Sequence, residues 1–237
     1  MLMVFYQYTT GKNCGHQWAT ENDCMEITWL GHCSTRLVSG DVALLNDPFP
    51  DMDVPPGVHI VAVTNDGPLH SAHDAIEGEH HLIDGPGLYE ALGYNITGIG
   101  TALSDEEGDR RINTVYVIRS DGVSVCYLGS LRVKLSARQL DSLGSVDVLI
   151  VSAEQRGEVG PTEISRLVNV LGPRIVIPVG EEGEGRGADE ETPLGALLRQ
   201  MNVERPDPQP RLNVTRNNLP RETRVVMLQR PSTRRMS

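Results

Sequence analysis

Six of the seven histidines lie between His32 and His81. The near-continuous apolar run His59–Thr64 (HIVAVT) empties directly into Asn65-Asp66-Gly67-Pro68-Leu69-His70. Such a run reads as a strand buried on both faces. A strand end suits a site, because the sheet fixes the backbone while the loop presents side chains. His32, His70, His73 and Asp74 are the candidates for chemistry, since imidazoles and carboxylates move protons near neutral pH or ligate metals. On a helix, His70, His73, Asp74 and Glu77 would share one face, at i, i+3, i+4 and i+7. That face could hold zinc or manganese, with His80-His81 close behind. The plainer reading is a solvated polar helix start. Cys33, beside His32, has no neighbouring base and reads as a small buried hydrophobe. Asp66-Gly67-Pro68 is most simply a turn. Neither GPGLYEALG nor GEGRG has the spacing or context of a phosphate-binding loop.

The chain that must position these residues has 237 of them, 39% hydrophobic and 22% charged, enough for a real core and against wholesale disorder. No apolar run approaches the roughly 20 residues that span a bilayer. The opening segment lacks the basic start and apolar length of a secretory signal. Cys14, Cys24, Cys33 and Cys126 form no C-x-x-C pair, so a zinc ribbon is unsupported and a reducing cytoplasm is the expected location. The net charge of −11 disfavours nucleic acid as a partner. The Arg-rich segment from Arg199 to Ser237, nine arginines against three acids, is the only hint the other way.

Residues 1–24 are polar and without periodicity, and read as an N-terminal extension. Strands are expected at Met25–Gly31, Thr35–Ser39, Asp41–Asn46, His59–Thr64, Ile96–Ile99, Thr114–Arg119, Val123–Leu128, Val146–Val151 and Arg174–Val179. Gly40-Asp41 signals a hairpin between the second and third. Ser136-Ala-Arg-Gln139 is a capping box that opens a helix ending at Gly144. A second helix starts near Pro161, with Ile164, Leu167, Val168 and Leu171 on one face, and a short third covers Leu194–Met201. Residues 181–191 form an acidic loop inside the domain, Arg205–Pro210 is a Pro-rich linker, and Val225–Leu228 is a last strand. Residues 231–237 are a basic tail. Many strands followed by alternating helices and strands suggest two stacked sheets covered by outer helices.

Several segments, in order, carry a resemblance. They are WLGH (Trp29–His32), LLNDPF (Leu44–Phe49), VAVTNDGPLHS (Val61–Ser71), IDGPGLYE (Ile83–Glu90), ITGIGT (Ile96–Thr101), INTVYVI (Ile112–Ile118), CYLGSL (Cys126–Leu131) and RIVIPVG (Arg174–Gly180). Together they resemble the metallo-β-lactamase superfamily, in the metal-dependent hydrolase branch that includes ascorbate-phosphate lactonase-like proteins. The resemblance runs from Met25 to about Leu228. It implies an α/β fold, the four-layer αββα sandwich, over residues 25–230. It also implies a pocket-wall place for His32, support of the metal loop by Asp47, and turn conformations with positive φ at Gly85 and Gly87.

The family's ligand loop reads T-H-x-H-x-D-H. Here Thr64 matches, but Asn65, Gly67 and Leu69 stand at the first three ligand positions, and only His70 keeps its ligand. Later ligand positions fall at Leu103, Ser130 and Gly180, with Tyr127 where a histidine precedes the bridging aspartate. One position of seven retains a ligating side chain. A zinc ion wants about four N, S or carboxylate donors, and a binuclear site wants more. These seven are therefore vestigial metal-site positions, and no metal cofactor is expected. The expected function is a non-catalytic binding or structural subunit whose partner is another protein or a second copy of the chain. The alternative is a metal-dependent hydrolase of lactones, esters or phosphoesters with a remodelled site.

Overall fold

Alternation in Met25–Gly31 buries Met25 and Ile27 completely and makes β1 (Met25–Gly31), the period-two pattern of a strand with one face on a core. It pairs antiparallel with β2 (Ser34–Ser39), which turns at Gly40-Asp41 into β3 (Val42–Asn46). Gly40 sits at φ 57, the left-handed conformation this tight hairpin requires. β4 (Val58–Ala62) and β5 (His81–Ile83) then add in parallel. A meander of β6 (Gly87–Ala91), β7 (Tyr94–Ala102), β8 (Ile112–Ser120) and β9 (Val123–Tyr127) begins the second sheet. Helix α1 (Ala137–Leu143), β10 (Val148–Ser152), α2 (Pro161–Leu171) and β11 (Ile175–Val179) continue it with parallel pairing. After α3 (Pro193–Gln200), β12 (Leu212–Val214) joins the free edge of β1 and β13 (Arg224–Val225) joins β11. The sheets run β12-β1-β2-β3-β4-β5 and β13-β11-β10-β9-β8-β7-β6. This computed structural model describes residues 24–103, 111–153, 157–180 and 192–230. The expected extension at 1–24, all but its last residue, the acidic loop at 181–191 and the tail at 231–237 lie outside the described residues.

The two sheets face each other across a continuous apolar layer. Ile27, Leu37, Leu44 and Ile60 of the first meet Ile96, Ile118, Val125, Ile150 and Ile177 of the second. Three buried tyrosines of the second sheet tie it to the backbone of the first. Tyr94 donates to the Leu37 and Val42 carbonyls, Tyr116 to those of Val63 and Ile83, and Tyr127 to that of Cys33. Burial raises the pKa of all three phenols, so they act as proton donors.

The outer face of the second sheet is covered by helices, with Ile164, Leu167 and Val168 of α2 and Leu194, Leu197 and Leu198 of α3 on Val117, Leu149 and Val176. The capping box at Ser136 forms as the sequence requires, and α2 closes at Gly172 with φ 58. The outer face of the first sheet, Leu45, Val61 and Val63, is covered among the described residues by Met52, Val54 and Ile76 from loops. The stretch after β4 has no 3.6-residue apolar period and is spent on the site loop, so it supplies no amphipathic helix there.

Two local expectations are corrected. His70, His73, Asp74 and Glu77 do not share a helix face, because the segment makes only a three-residue 3₁₀ turn, His73–Ala75. Gly85 and Gly87 have no positive φ. A Cβ on Gly85 would meet nothing within 4 Å, whereas one on Gly87 would come within 2.9 Å of the Tyr89 ring and one on Gly98 of β7 within 2.7 Å of the Gly85 carbonyl oxygen, so the space is tight at Gly87 and Gly98. No described helix is long and apolar enough to cross a membrane.

Candidate active site

The site grows from the ends of β3, β4 and β9, which the pairing of the sheets brings to one end of the sandwich. Asp47 follows β3 directly. It is fully buried and held at φ 44, a conformation Asp tolerates better than most residues. Its carboxylate gathers four donors. Oδ1 accepts the Thr64 backbone N–H at 2.7 Å, while Oδ2 accepts the Thr64 hydroxyl at 2.8 Å and the Tyr127 hydroxyl at 2.7 Å. The fourth contact is His70 Nδ1, at 2.8 Å from Oδ2. A buried carboxylate is tolerated only with such a set of donors. Asp47 therefore fixes both the start of the 64–70 loop and the imidazole at its end.

That loop is short and tight. The Asn65 side-chain oxygen accepts the Gly67 N–H at 3.0 Å, and His70 N–H returns to the Gly67 carbonyl at 2.9 Å. A Cβ at Gly67 would stand 2.7 Å from the Asn65 oxygen, so a histidine there would require this turn to open.

The other nitrogen of His70 meets Ser130, with Nε2 and Oγ 2.8 Å apart. Ser130 is delivered by the turn after β9. The buried Asn113 of β8 clamps this turn, donating to the Leu128 carbonyl at 3.1 Å and accepting the Ser130 N–H at 2.8 Å. Gly129, between them, has φ 58, and a Cβ on it would lie 2.6 Å from Thr64 Cγ2. Only glycine lets the β9 turn come this close to the β4 loop.

Above Ser130 and His70 opens a cavity of about 290 Å³. His32, Cys33, Asn65, Gly67, Leu69, His70, Leu103 and Ser130 all contribute to its wall, as do Arg111 and Arg132. His32 is at φ 43, its carbonyl accepts the Trp29 indole N–H at 2.7 Å, and its ring packs edge-on to Phe49 at 4.6 Å. Cys33 is buried, with Sγ 3.6 Å from Ser152 Oγ. His73 and Asp74 do not line the cavity. They lie against each other at 3.4 Å, Asp74 almost wholly exposed. Gly180, at φ 97, also lies outside the cavity lining. Reading the sequence pointed to His70 and to Ser130 separately, but not to their contact, nor to Arg111 and Arg132 as wall residues. The cue for the contact was the bridging-ligand position that Ser130 occupies.

The resemblance implies a binuclear metal centre, and the donor set does not fit one. His70 is the single ligating side chain at the seven positions, and both of its ring nitrogens are engaged at 2.8 Å by Asp47 and Ser130. The Asn65 oxygen is spent on Gly67 N–H, and Leu69 offers no donor. Among the described residues, no group of three or more His, Cys, Asp or Glu side chains converges as a cation site.

Comparison with known proteins agrees with the fold. The model of a beta-lactamase superfamily domain matches residues 26–180. A UPF0173 metal-dependent hydrolase of Halobacterium salinarum is 30% identical over 117 residues, 44% of this chain and 48% of that protein. The chain thus matches about half the length of this curated relative. Among solved structures, a protein of Thermotoga maritima described as a Zn-dependent hydrolase of the metallo-beta-lactamase superfamily superposes with a TM-score of 0.67 at 25% identity, covering 86% of this chain and 98% of that one. A protein of Parabacteroides distasonis described as a metal-dependent hydrolase gives a TM-score of 0.61 at 14% identity, over 86% and 94% of the two chains, a likeness of fold. With the family model matched over well more than half of its length, the chain belongs to the beta-lactamase superfamily domain family, on the metallo-β-lactamase fold.

Proposed function

We propose that this chain is a metal-independent member of that family, whose cavity over Ser130 and His70 binds a small organic ligand at the positions where the resemblance places the family's metal ligands. One observation carries the reading: the surviving imidazole is held on both nitrogens by its own protein, Nδ1 by Asp47 and Nε2 by Ser130. A metal would have to displace one of these contacts and recruit its remaining ligands from Asn65, Gly67, Leu69 and Leu103. Amides are weak donors to zinc, and aliphatic side chains are none. Replacing clustered ligands in this way removes the cost of burying like charges once no cation compensates them. Among the described residues, Cys24, Cys33 and Cys126 carry no disulfide, which supports a reducing cytoplasm as the proposed location.

Elemental analysis of the chain after purification without chelator tests the reading. The expected result is well below one equivalent of zinc, manganese or iron, unchanged by His70→Ala. Close to one equivalent, lost in His70→Ala, would overturn it. A role as a binding subunit, with a protein or a second copy as partner, is compatible with the same cavity. A remodelled hydrolytic site is favoured by a specific observation, the contact of Ser130 with His70.

A further inference from the structure

We propose that Ser130, His70 and Asp47 form a serine-nucleophile relay that cleaves carboxylic esters in this cavity, an inference that rests on the metal-independent reading above. The chain of contacts is complete: Ser130 Oγ lies 2.8 Å from His70 Nε2, and His70 Nδ1 lies 2.8 Å from Asp47 Oδ2. This is the arrangement of nucleophile, base and orienting carboxylate that activates a serine hydroxyl. The three residues come from three different strand ends, separated by 60 and 23 positions in sequence.

The hydrogen-bond network assigns the tautomer. Asp47 Oδ2 already accepts from the Thr64 and Tyr127 hydroxyls, and desolvation keeps the Tyr127 phenol protonated. Asp47 is therefore an acceptor toward His70, whose Nδ1 carries the proton. That leaves Nε2 as the acceptor for the Ser130 hydroxyl proton. Burial is graded along the relay. Asp47 has no exposed side-chain surface, the His70 side chain is 14% exposed, and Ser130 lines the cavity. The orienting end is dry, while Ser130 belongs to the wall of the ligand space.

The chemistry balances on these groups. Ser130 Oγ bonds to the ester carbonyl carbon as its proton passes to His70 Nε2. The tetrahedral adduct then breaks the bond to the alcohol oxygen, and the alcohol leaves with the Nε2 proton. A water attacks the acyl-Ser130 ester, giving its proton to Nε2. The acid departs as Ser130 Oγ takes that proton back. Asp47 touches no reacting atom and acts as a positioning residue.

The cavity wall indicates the ester. Leu103, Leu128, Leu131 and Ile164 offer an apolar surface for a short acyl chain. Arg132 stands on the same wall, and its buried Nε has no hydrogen-bond partner among the described residues. A buried guanidinium N–H without a partner favours a substrate whose negative group can accept from it.

The test uses the whole chain and a short-alkyl fluorophosphonate. Attack by Ser130 Oγ forms an Oγ–P bond, expels fluoride and sends the proton to His70. Intact-mass and peptide mapping should find one adduct, on Ser130, in metal-depleted protein treated with EDTA. Ser130→Ala should give none while its circular dichroism is unchanged, and His70→Ala should label at least about 10²-fold more slowly, the usual worth of a general base. Turnover of 4-nitrophenyl hydrogen succinate should exceed that of 4-nitrophenyl butyrate. Absence of an adduct on folded protein, an adduct on a different serine, or equal labelling of His70→Ala would each overturn the relay. A metal-free chain without an adduct sinks the relay alone and leaves the metal-independent reading in place. A chain with bound metal and EDTA-sensitive turnover sinks both.

Discussion

Gly129 shows how a single residue decides whether Ser130 reaches His70. Its φ of 58 and the 2.6 Å approach that a Cβ would make to Thr64 leave a larger residue two separate costs, a left-handed backbone and a clash between two loops. The first is about 1–2 kcal/mol and the second about 1–3 kcal/mol. Gly129→Ala should therefore lose about 2–5 kcal/mol in urea denaturation. Gly40→Ala, at φ 57 with nothing within 4 Å of the added Cβ, should lose only the backbone share. Equal losses in the two variants would mean that the Thr64 approach carries no strain. At this scale the sequence was legible in part. His70 and Ser130 stood out because they occupy ligand positions, one kept and one changed. Their pairing was not legible, since it depends on Asn113 and Asp47 fixing two turns far apart in the chain. The i, i+3, i+4, i+7 spacing from His70 to Glu77 misled for a local reason. No apolar residues recur with it, so nothing holds that segment in a helix.

Elements were more legible than residues. β1 runs over the residues its alternation marked, and the capping box and the Pro161 start give α1 and α2 where their signals lie. The short β5, β6 and β12 went unseen, because three to five residues at sheet edges carry little periodicity and take their register from neighbours. Strand β9 also stores a pH dependence. Cys126 is fully buried, and burial pushes its thiol up to about 12 from 9.0. The folded state keeps the proton that the unfolded chain releases, so stability is complete below pH 9 and falls as pH rises from about 9 toward 12. The slope is about 1.4 kcal/mol per pH unit for one such group. The raised phenols of Tyr94, Tyr116 and Tyr127 add the same sign only above their ordinary value of 10.0. Between pH 9 and 10 the thiol therefore acts alone among these four. Urea midpoints of the wild type should fall across that interval, and those of Cys126→Ala should stay nearly level. Parallel decline in both proteins would assign the effect elsewhere.

For the molecule as a whole, the C-terminal segment is the clasp. After α3 the chain lays β12 against β1 on one sheet and β13 against β11 on the other, with Gln209 and Leu228 bridged between. Its arginines are spent partly on this return: Arg211 pairs with Glu26 at 2.8 Å, and Arg230 lies 5.9 Å above the Phe49 ring, next to His32. The Arg-rich composition that hinted at nucleic acid thus has structural work inside the domain. Val214, Val225, Met227 and Leu228 are all at most 8% exposed and belong to the two main cores. Burying four such side chains contributes about 6–12 kcal/mol, comparable with the roughly 5–15 kcal/mol that separates a folded domain from its unfolded state. A chain ending at Met201 should therefore fail to fold cooperatively, with no urea transition by circular dichroism, and should not react with the fluorophosphonate. One ending at Arg230 should match the full chain in both measurements. A stable, cooperative fragment ending at Met201 would show that the two sheets hold together without β12 and β13, one edge strand of each, and the clasp would reduce to a surface decoration.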